Sequence, residues 1–436
     1  MLDKNADSQI ESPTILKLRE EIKNNKIEAI SKFWEKIKRI GTPLFEAIEG
    51  DNEYEIITFV YKEDDEVENV ICNNFFVKED IKEGLLERIK NTNIYYKSYK
   101  ILKGVRDIYC LSKNNPLKPK DPSENTFKHV DLIFNDPLNS KKSFLKVDGI
   151  NIPINQFKSP DATPQPYYGE RTDIDHGEIK EYTSYSEILD IKRRILAYTP
   201  PNYLKTHSPY HFLLLFDGIL FEEDAKVSCT LDNLIADEKI PPVVAIMVEN
   251  FIPTNTMVRS YELPPNPKFK DYIIKELLPW VHENFNITNN PSHSVIAGAS
   301  YGGIASTYIA FKHPDIFGNV LSMSGAYSWY PGDDNWLKTV KKIENFKPWW
   351  TIEDEKEPRW LARQFNQYKK LPLKFYFDVG VLEVDEPTGL YKSNRHFHSL
   401  LKSKGYPVYY TEFLGGHDFI CWRGSIADGL IYLIGK

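Results

Sequence analysis

Residues 298–302 read Gly298-Ala299-Ser300-Tyr301-Gly302, a G-x-S-x-G, the pattern that presents a serine hydroxyl as a nucleophile. Its flanks decide whether the pattern means anything. Residues 294–297 form a short apolar run that predicts a strand entering the turn. Residues 303–310 predict a helix leaving it. Glycines suit a turn too tight for a Cβ, and the turn sets the hydroxyl at a helix N-terminus, where backbone N–H groups gather. The competing reading is an ordinary tight turn into a helix.

A serine nucleophile needs a base and an acid, and after such an elbow the chain order is serine, acid, histidine. Of the histidines that follow, His417 lies in Gly415-Gly416-His417-Asp418, directly behind the last strand-like run. His396 and His398 fall in a helix-like stretch and read as an exposed helix face. His313, before Pro314, ends the helix that starts at the elbow and points away. The acid must orient the imidazole and stabilise its charged form. Glu383 stands just past the strand-like run ending in Asp378-Val379-Gly380, with Asp385 its nearest rival and Asp378 inside the run. A solvated loop carboxylate is the alternative for Glu383. The oxyanion needs two backbone donors. Tyr301 N–H follows the nucleophile, and Ile219 N–H belongs to the Phe216-Asp217-Gly218-Ile219 turn after an early strand.

Rival chemistries lack their residues. There is no GxxxxGK[ST], no GxGxxG, no HExxH and no CxxC, so neither a nucleotide, a metal nor another cofactor is expected. The net charge is −7 over 436 residues, where a whole-chain nucleic-acid binder is normally basic. Cys72, Cys110, Cys229 and Cys421 are widely spaced, which fits a reducing compartment. No apolar run approaches the ~20 residues of a membrane span. The first residues carry no apolar leader core or A-x-A site. The expectation is a cytoplasmic protein without a membrane partner; oligomeric state is not legible.

Hydrophobic residues make up 41% of the chain, enough for sizeable cores, and the length suits two or three domains at ~150 residues each. Residues 12–40 predict a helix, with Ser12 as cap, Pro13 in the first position and a break near residues 23–26. From 44 to 155 short aromatic runs, at 54–61, 67–76, 95–99, 107–111 and 151–153, predict an all-β sandwich. Residues 156–175, rich in Pro, Asp, Thr and Tyr, carry the boundary, giving domains 1–165 and 166–436. Beyond it strands at 191–198, 210–216, 243–248, 294–297, 320–323, 375–379 and 408–413 alternate with helices. Strands apolar on both faces imply a mostly parallel, doubly wound sheet.

These features together resemble the enterobactin (enterochelin) esterase family, in the esterase D-like branch of the α/β-hydrolases. The likeness is carried by Leu215-Phe216-Asp217-Gly218, Arg259-Ser260-Tyr261-Glu262-Leu263, Glu276-Leu277-Leu278-Pro279-Trp280, the Ser300 elbow, His313-Pro314-Asp315, Ser322-Met323-Ser324-Gly325, Asp378-Val379-Gly380 with Glu383, and Gly415-Gly416-His417-Asp418. In the N-terminal half, Phe33-Trp34, Gly41-Thr42-Pro43-Leu44 and Asp136-Pro137-Leu138-Asn139 resemble the β-domain of those enzymes. The resemblance implies an α/β-hydrolase domain behind a smaller β-sandwich. It implies a serine esterase that hydrolyses a catecholate trilactone siderophore of the enterobactin or bacillibactin type and releases iron. Ser300 is then the nucleophile, His417 the base and Glu383 the acid. Tyr301 replaces the family's common leucine, and the insert at 341–370, with Trp349, Trp350 and Trp360, also departs from it. Those departures touch the substrate pocket. They leave open another ester (feruloyl, acyl-thioester or xenobiotic) or a catalytically silent siderophore binder.

A ferric catecholate is anionic, so its site is expected to offer cations and aromatic faces. Arg259 is the leading cation, with a salt bridge to Glu262 as its alternative. Arg171, Arg395 and Arg423 follow. Trp329 and Tyr330 are candidate pocket walls, with core packing as the alternative.

Overall fold

The computed structural model describes residues 10–74, 81–117, 130–147, 150–206, 208–252, 257–342, 348–384 and 389–436. The chain divides into two compact units, Met1–Thr163 and Pro164–Lys436.

The first unit opens with a helix over Pro13–Ile40, whose Ser12 cap accepts from Ile15 N–H. Asn25 leaves helical geometry (φ −147°, ψ 91°), which is the expected break. Its apolar stripe, Ile15, Leu18, Phe33, Trp34 and Ile37, is buried against Leu44, Val60, Ile94 and Tyr96. Two antiparallel sheets follow, one of four strands and one of five. Phe59, from Tyr54–Lys62, meets Tyr109 and Phe157 of the other sheet at 4.7 and 6.1 Å between ring centroids. That is the sandwich core. The sequence reading missed the strands Leu44–Ala47 and Lys142–Val147. Both lie at the edge of their sheets, where one side needs no apolar run. Of the run expected at 67–76, Val70–Asn74 is strand and 75–76 lie outside the described residues.

The second unit is built on eight strands: β1 (Glu178–Ser186), β2 (Ile191–Thr199), β3 (His211–Phe216), β4 (Val243–Val248), β5 (Ser294–Ala299), β6 (Asn319–Met323), β7 (Lys374–Gly380) and β8 (Val408–Phe413). Their spatial order is β1-β2-β4-β3-β5-β6-β7-β8. The β1–β2 and β2–β4 pairs are antiparallel, and all later pairs are parallel. This is the expected α/β-hydrolase sheet. Successive residues of one strand feed opposite cores: Phe212, Leu214 and Phe216 lie on one side, Leu213 and Leu215 on the other. That double burial is why β3 reads as an unbroken apolar run. The unexpected strand is β1, a mostly exposed edge that carries no such run.

Five helices matter for the site: α1 (Gly218–Ala225), α2 (Met257–Glu262), α3 (Tyr301–Lys312), α4 (Leu390–Ser403) and α5 (Phe419–Ile434). The turns leaving β3, β5, β6, β7 and β8 all lie at the C-terminal ends of parallel strands. Ligand-binding residues of open α/β sheets gather at that edge.

Candidate active site

The Ser300 turn is set by the centre of the sheet. In β5, Ala297 lies opposite Leu215 on one side and Leu321 on the other. Ser300 takes φ 57° and ψ −120°, a conformation an L-residue holds only under constraint. The constraint comes from the next strand: Ser300 N–H donates to Met323 O (2.9 Å), and Ala326 N–H donates to Ser300 O (3.0 Å). The two elbow glycines are unequal. A Cβ on Gly298 would lie 2.6 Å from the Gly302 backbone, whereas one on Gly302 would find its nearest atom at 3.5 Å. Only the first glycine is demanded by space.

His417 follows β8, and Glu383 follows β7. Leu382 N–H donates to Gly415 O (3.1 Å), which ties the two loops together. Glu383 Oε2 lies 2.8 Å from His417 Nδ1. A carboxylate there makes Nδ1 the protonated nitrogen and leaves Nε2 free to accept a proton. The other oxygen, Oε1, accepts from Ser324 Oγ (2.6 Å) and Gly380 N–H (2.8 Å). Trp422 Nε1–H donates to Ser324 Oγ (3.0 Å), and the Trp422 ring stands edge-on to His417 with centroids 4.8 Å apart. Glu383 is 2% exposed, so this is no solvated loop carboxylate. Asp385 lies outside the described residues.

Two more carboxyls underlie the pair. Asp418, beside the histidine, caps α5 by accepting from Ile420 N–H (2.9 Å). Burial pushes its pKa up to about 6, against the opposing effect of that N–H. Asp378, within β7, is pushed up to about 8, first by burial and further by the nearby Glu383 charge, with a Ser425 hydrogen bond opposing. At neutral pH Asp378 is therefore mostly uncharged, which spares Glu383 a second buried anion.

Tyr301 N–H opens α3, and Ile219 N–H stands in the first turn of α1, so both belong to helix ends whose first amides lack intrahelical partners. Arg259, on α2, has a different partner from the one expected. Its Nε donates to both Asp217 oxygens (2.9 and 3.0 Å) and its Nη2 to Oδ2 (2.8 Å). Glu262 is instead fully buried against Arg193, which was not singled out in the sequence. Chain proximity suggested Glu262; the sheet brings Asp217 closer.

The remaining candidates disperse. Arg171 is engaged by Asp173 and Asp237, and Arg395 by Glu412. Arg423 donates Nε–H to Gln165 (2.7 Å) and lies 3.9 Å over the Tyr168 ring. Trp329 is 3% exposed and packs edge-to-face on Trp336 (5.1 Å) and Trp360 (6.1 Å), which is core packing. Tyr330 is half-buried. His396 is exposed on α4, and His398 stacks on Tyr410 at 4.5 Å. His313 ends α3, as expected. Ser324 and Trp422 are the contributors that sequence reasoning missed. Ser324 sat in a recognised motif without a role, and nothing local marks Trp422. Among the described residues no group of three His, Cys, Asp or Glu side chains is placed to hold a metal, and no helix is long and apolar enough to cross a membrane.

A family model described as a putative esterase matches residues 186–433. The iron(III) enterobactin esterase of Dickeya dadantii is 25% identical over 431 residues, covering 92% of each chain. A feruloyl esterase joined to an endo-1,4-beta-xylanase in Xylanibacter ruminicola is 29% identical over 239 residues, 52% of this chain and 31% of that one. The crystal structure of ferric enterobactin esterase from Salmonella typhimurium superposes with a TM-score of 0.73 at 22% identity, covering 92% of this chain and 98% of that one.

Proposed function

The chain belongs to the putative esterase family and is a carboxylic ester hydrolase, and we propose that it cleaves the ester bonds of a catecholate trilactone siderophore through a Ser300 acyl-enzyme. The observation that carries the mechanism is the 2.8 Å contact between His417 Nδ1 and Glu383, on loops that leave β7 and β8 at the same C-terminal sheet edge as the Ser300 elbow.

Ser300 Oγ attacks the ester carbonyl carbon, and His417 Nε2 takes its proton. The charge that develops on the imidazole is stabilised by Glu383. Glu383 is itself held by Ser324 Oγ and Gly380 N–H, so it cannot swing away from the ring. The tetrahedral oxyanion is received by Tyr301 and Ile219 N–H groups. His417 then returns the proton to the leaving seryl alkoxide. A water deprotonated by His417 attacks the acyl-enzyme, and the acid product leaves with Ser300 restored.

The substrate class is supported by similarity to the Dickeya iron(III) enterobactin esterase over 92% of both chains, a span too long to leave out the β-sandwich half. Iron enters as part of the substrate. We place the reaction in the cytoplasm, in keeping with four widely spaced cysteines that form no disulfide. A feruloyl-type ester is the second reading, supported by the 29% identity to the Xylanibacter enzyme over 239 residues.

The test is incubation with ferric and iron-free enterobactin and bacillibactin, with products read by mass spectrometry beside Ser300→Ala. Linear trimer, dimer and monomer from the wild type alone are expected. Turnover of p-nitrophenyl and feruloyl esters with no catecholate product would discard the siderophore and keep the serine mechanism.

A further inference from the structure

An anionic substrate needs a cation with donors to spare, and most arginines of the hydrolase unit have theirs committed. Arg194 is bonded to Glu249 and Arg363 to Asp354. Arg171, Arg193, Arg259 and Arg395 face carboxylates, and Arg423 lies on Tyr168 and Gln165. Arg359 differs. It is half-buried, and among the described residues its guanidinium meets no carboxylate and makes no hydrogen bond. A charge drawn partly out of water without a partner is unfavourable unless a ligand supplies one.

Its place in the fold is beside the nucleophile. Ala326 N–H, in the loop leaving β6, donates to Ser300 O (3.0 Å). Two residues on, Ser328 O accepts from Arg359 N–H (3.4 Å), and Trp329 O accepts from Trp360 N–H (3.3 Å). The backbone around Arg359 is thus tied to the loop that holds the Ser300 turn. Arg359 takes φ 62° and ψ 44°, a left-handed conformation that a residue with a Cβ adopts at a cost. Such strain persists where the surrounding structure imposes it, commonly at ligand sites.

The guanidinium lies within electrostatic reach of α4, where the His396 pKa is lowered by desolvation first and by the Arg359 charge second. Helix α4 joins the same loop through Asn394 Nδ2, which donates to Gly325 O (2.8 Å). It joins the acid loop through Tyr391 N–H, which donates to Glu383 O (3.3 Å). Arg359 therefore stands by the β6 loop and α4, at the sheet edge that carries Ser300 and Glu383. Two acidic side chains of its own segment are turned to other partners. Asp354 is taken by Arg363, by Trp360 Nε1–H (2.8 Å) and by Thr351, and Glu355 by Trp350 Nε1–H (2.8 Å).

We infer that Arg359 is a specificity-determining residue: its guanidinium receives the negative charge of a ferric catecholate bound at the Ser300 elbow. The inference rests on the siderophore reading above and names a cation for it. Arg359 belongs to the insert at 341–370, outside the motifs that carry the family likeness.

The test uses purified full-length enzyme with ferric enterobactin as the anionic ester and p-nitrophenyl acetate as the neutral one. Arg359→Gln removes the charge and leaves the backbone bonds in place. It is expected to raise KM for ferric enterobactin about tenfold with kcat within about threefold, the size of one charge-assisted contact. The ratio of kcat/KM between the anionic and the neutral ester should fall by about the same factor. Arg359→Lys keeps the charge and should recover that ratio to within about threefold of wild type, a rescue that a packing role would not produce. Raising NaCl from about 0.05 M to about 0.5 M should weaken ferric enterobactin turnover by wild type more than by Arg359→Gln. Equal ratios in wild type and Arg359→Gln would overturn the inference. So would a proportional loss on both esters, which would make Arg359 a support for the β6 loop. Wild type that turns over p-nitrophenyl acetate but yields no catecholate product would instead sink the siderophore reading, and the inference with it.

Discussion

Glu383 meets His417 through one oxygen only, Oε2 at 2.8 Å from Nδ1, while its other oxygen is taken by Ser324 Oγ and Gly380 N–H. The carboxylate is therefore an oriented group rather than a nearby charge. Orientation decides which imidazole nitrogen carries the proton, and hence whether Nε2 can act as a base.

Replacing Glu383 with Gln keeps the shape and removes the charge. Its amide also offers Nδ1 a donor as readily as an acceptor, so the wrong tautomer gains ground. Steady-state kinetics on p-nitrophenyl acetate should show kcat lower by about 10³- to 10⁴-fold, with thermal stability near wild type. A loss below tenfold would remove Glu383 from the mechanism.

Ser324→Ala deprives Glu383 of one donor and leaves the Trp422 indole N–H without its acceptor in a buried setting. An orphaned buried donor costs about 1–3 kcal/mol, which thermal or urea melting would register. Trp422→Phe removes that orphan. The double variant Ser324→Ala/Trp422→Phe should therefore lose less stability than the two single losses added together, and strict additivity would refute the coupling.

The two glycines of the elbow should respond differently to alanine. Gly298→Ala forces a Cβ to 2.6 Å from Gly302 backbone atoms and should abolish activity or soluble expression. Gly302→Ala has ordinary van der Waals room and sits in the first turn of α3, where alanine favours the helix by up to about 1 kcal/mol. It should fold at least as stably as wild type, as a melting curve would show.

Asp378 makes stability depend on pH in a predictable direction. Its folded pKa of about 8 lies far above the usual carboxylate value, so between about pH 4 and pH 8 the folded protein binds a proton that the unfolded chain releases. Stability from this group falls as pH rises through that window. Asp378→Asn cannot ionise, so its melting temperature should exceed wild type by about 5 °C or more near pH 9 and converge with it near pH 4. A constant offset across that range would show that Asp378 does not titrate as argued.

Much of the fold was legible because strands buried on both faces and capped helices write themselves into local pattern. The β3 run, the Ser12-Pro13 helix start and the Asn25 break are of this kind. Strand β1 was not legible, because an exposed edge strand needs no apolar pattern.

At the site, the sequence by itself determined the serine turn and the order in which Ser300, Glu383 and His417 follow along the chain. A tight turn between strand and helix, and a residue just past a strand end, are local events that residue type and spacing encode. The tertiary structure alone decided who touches whom. It paired Arg259 with Asp217 across 42 residues rather than with Glu262 three residues away, and gave Glu262 to Arg193. It set Trp422 against His417, Ser324 under Glu383, and Trp329 in the core. The physical reason is the strand order. Parallel neighbours in the sheet are distant in the chain, so the contacts that orient charges at its C-terminal edge have no local spacing from which to be read.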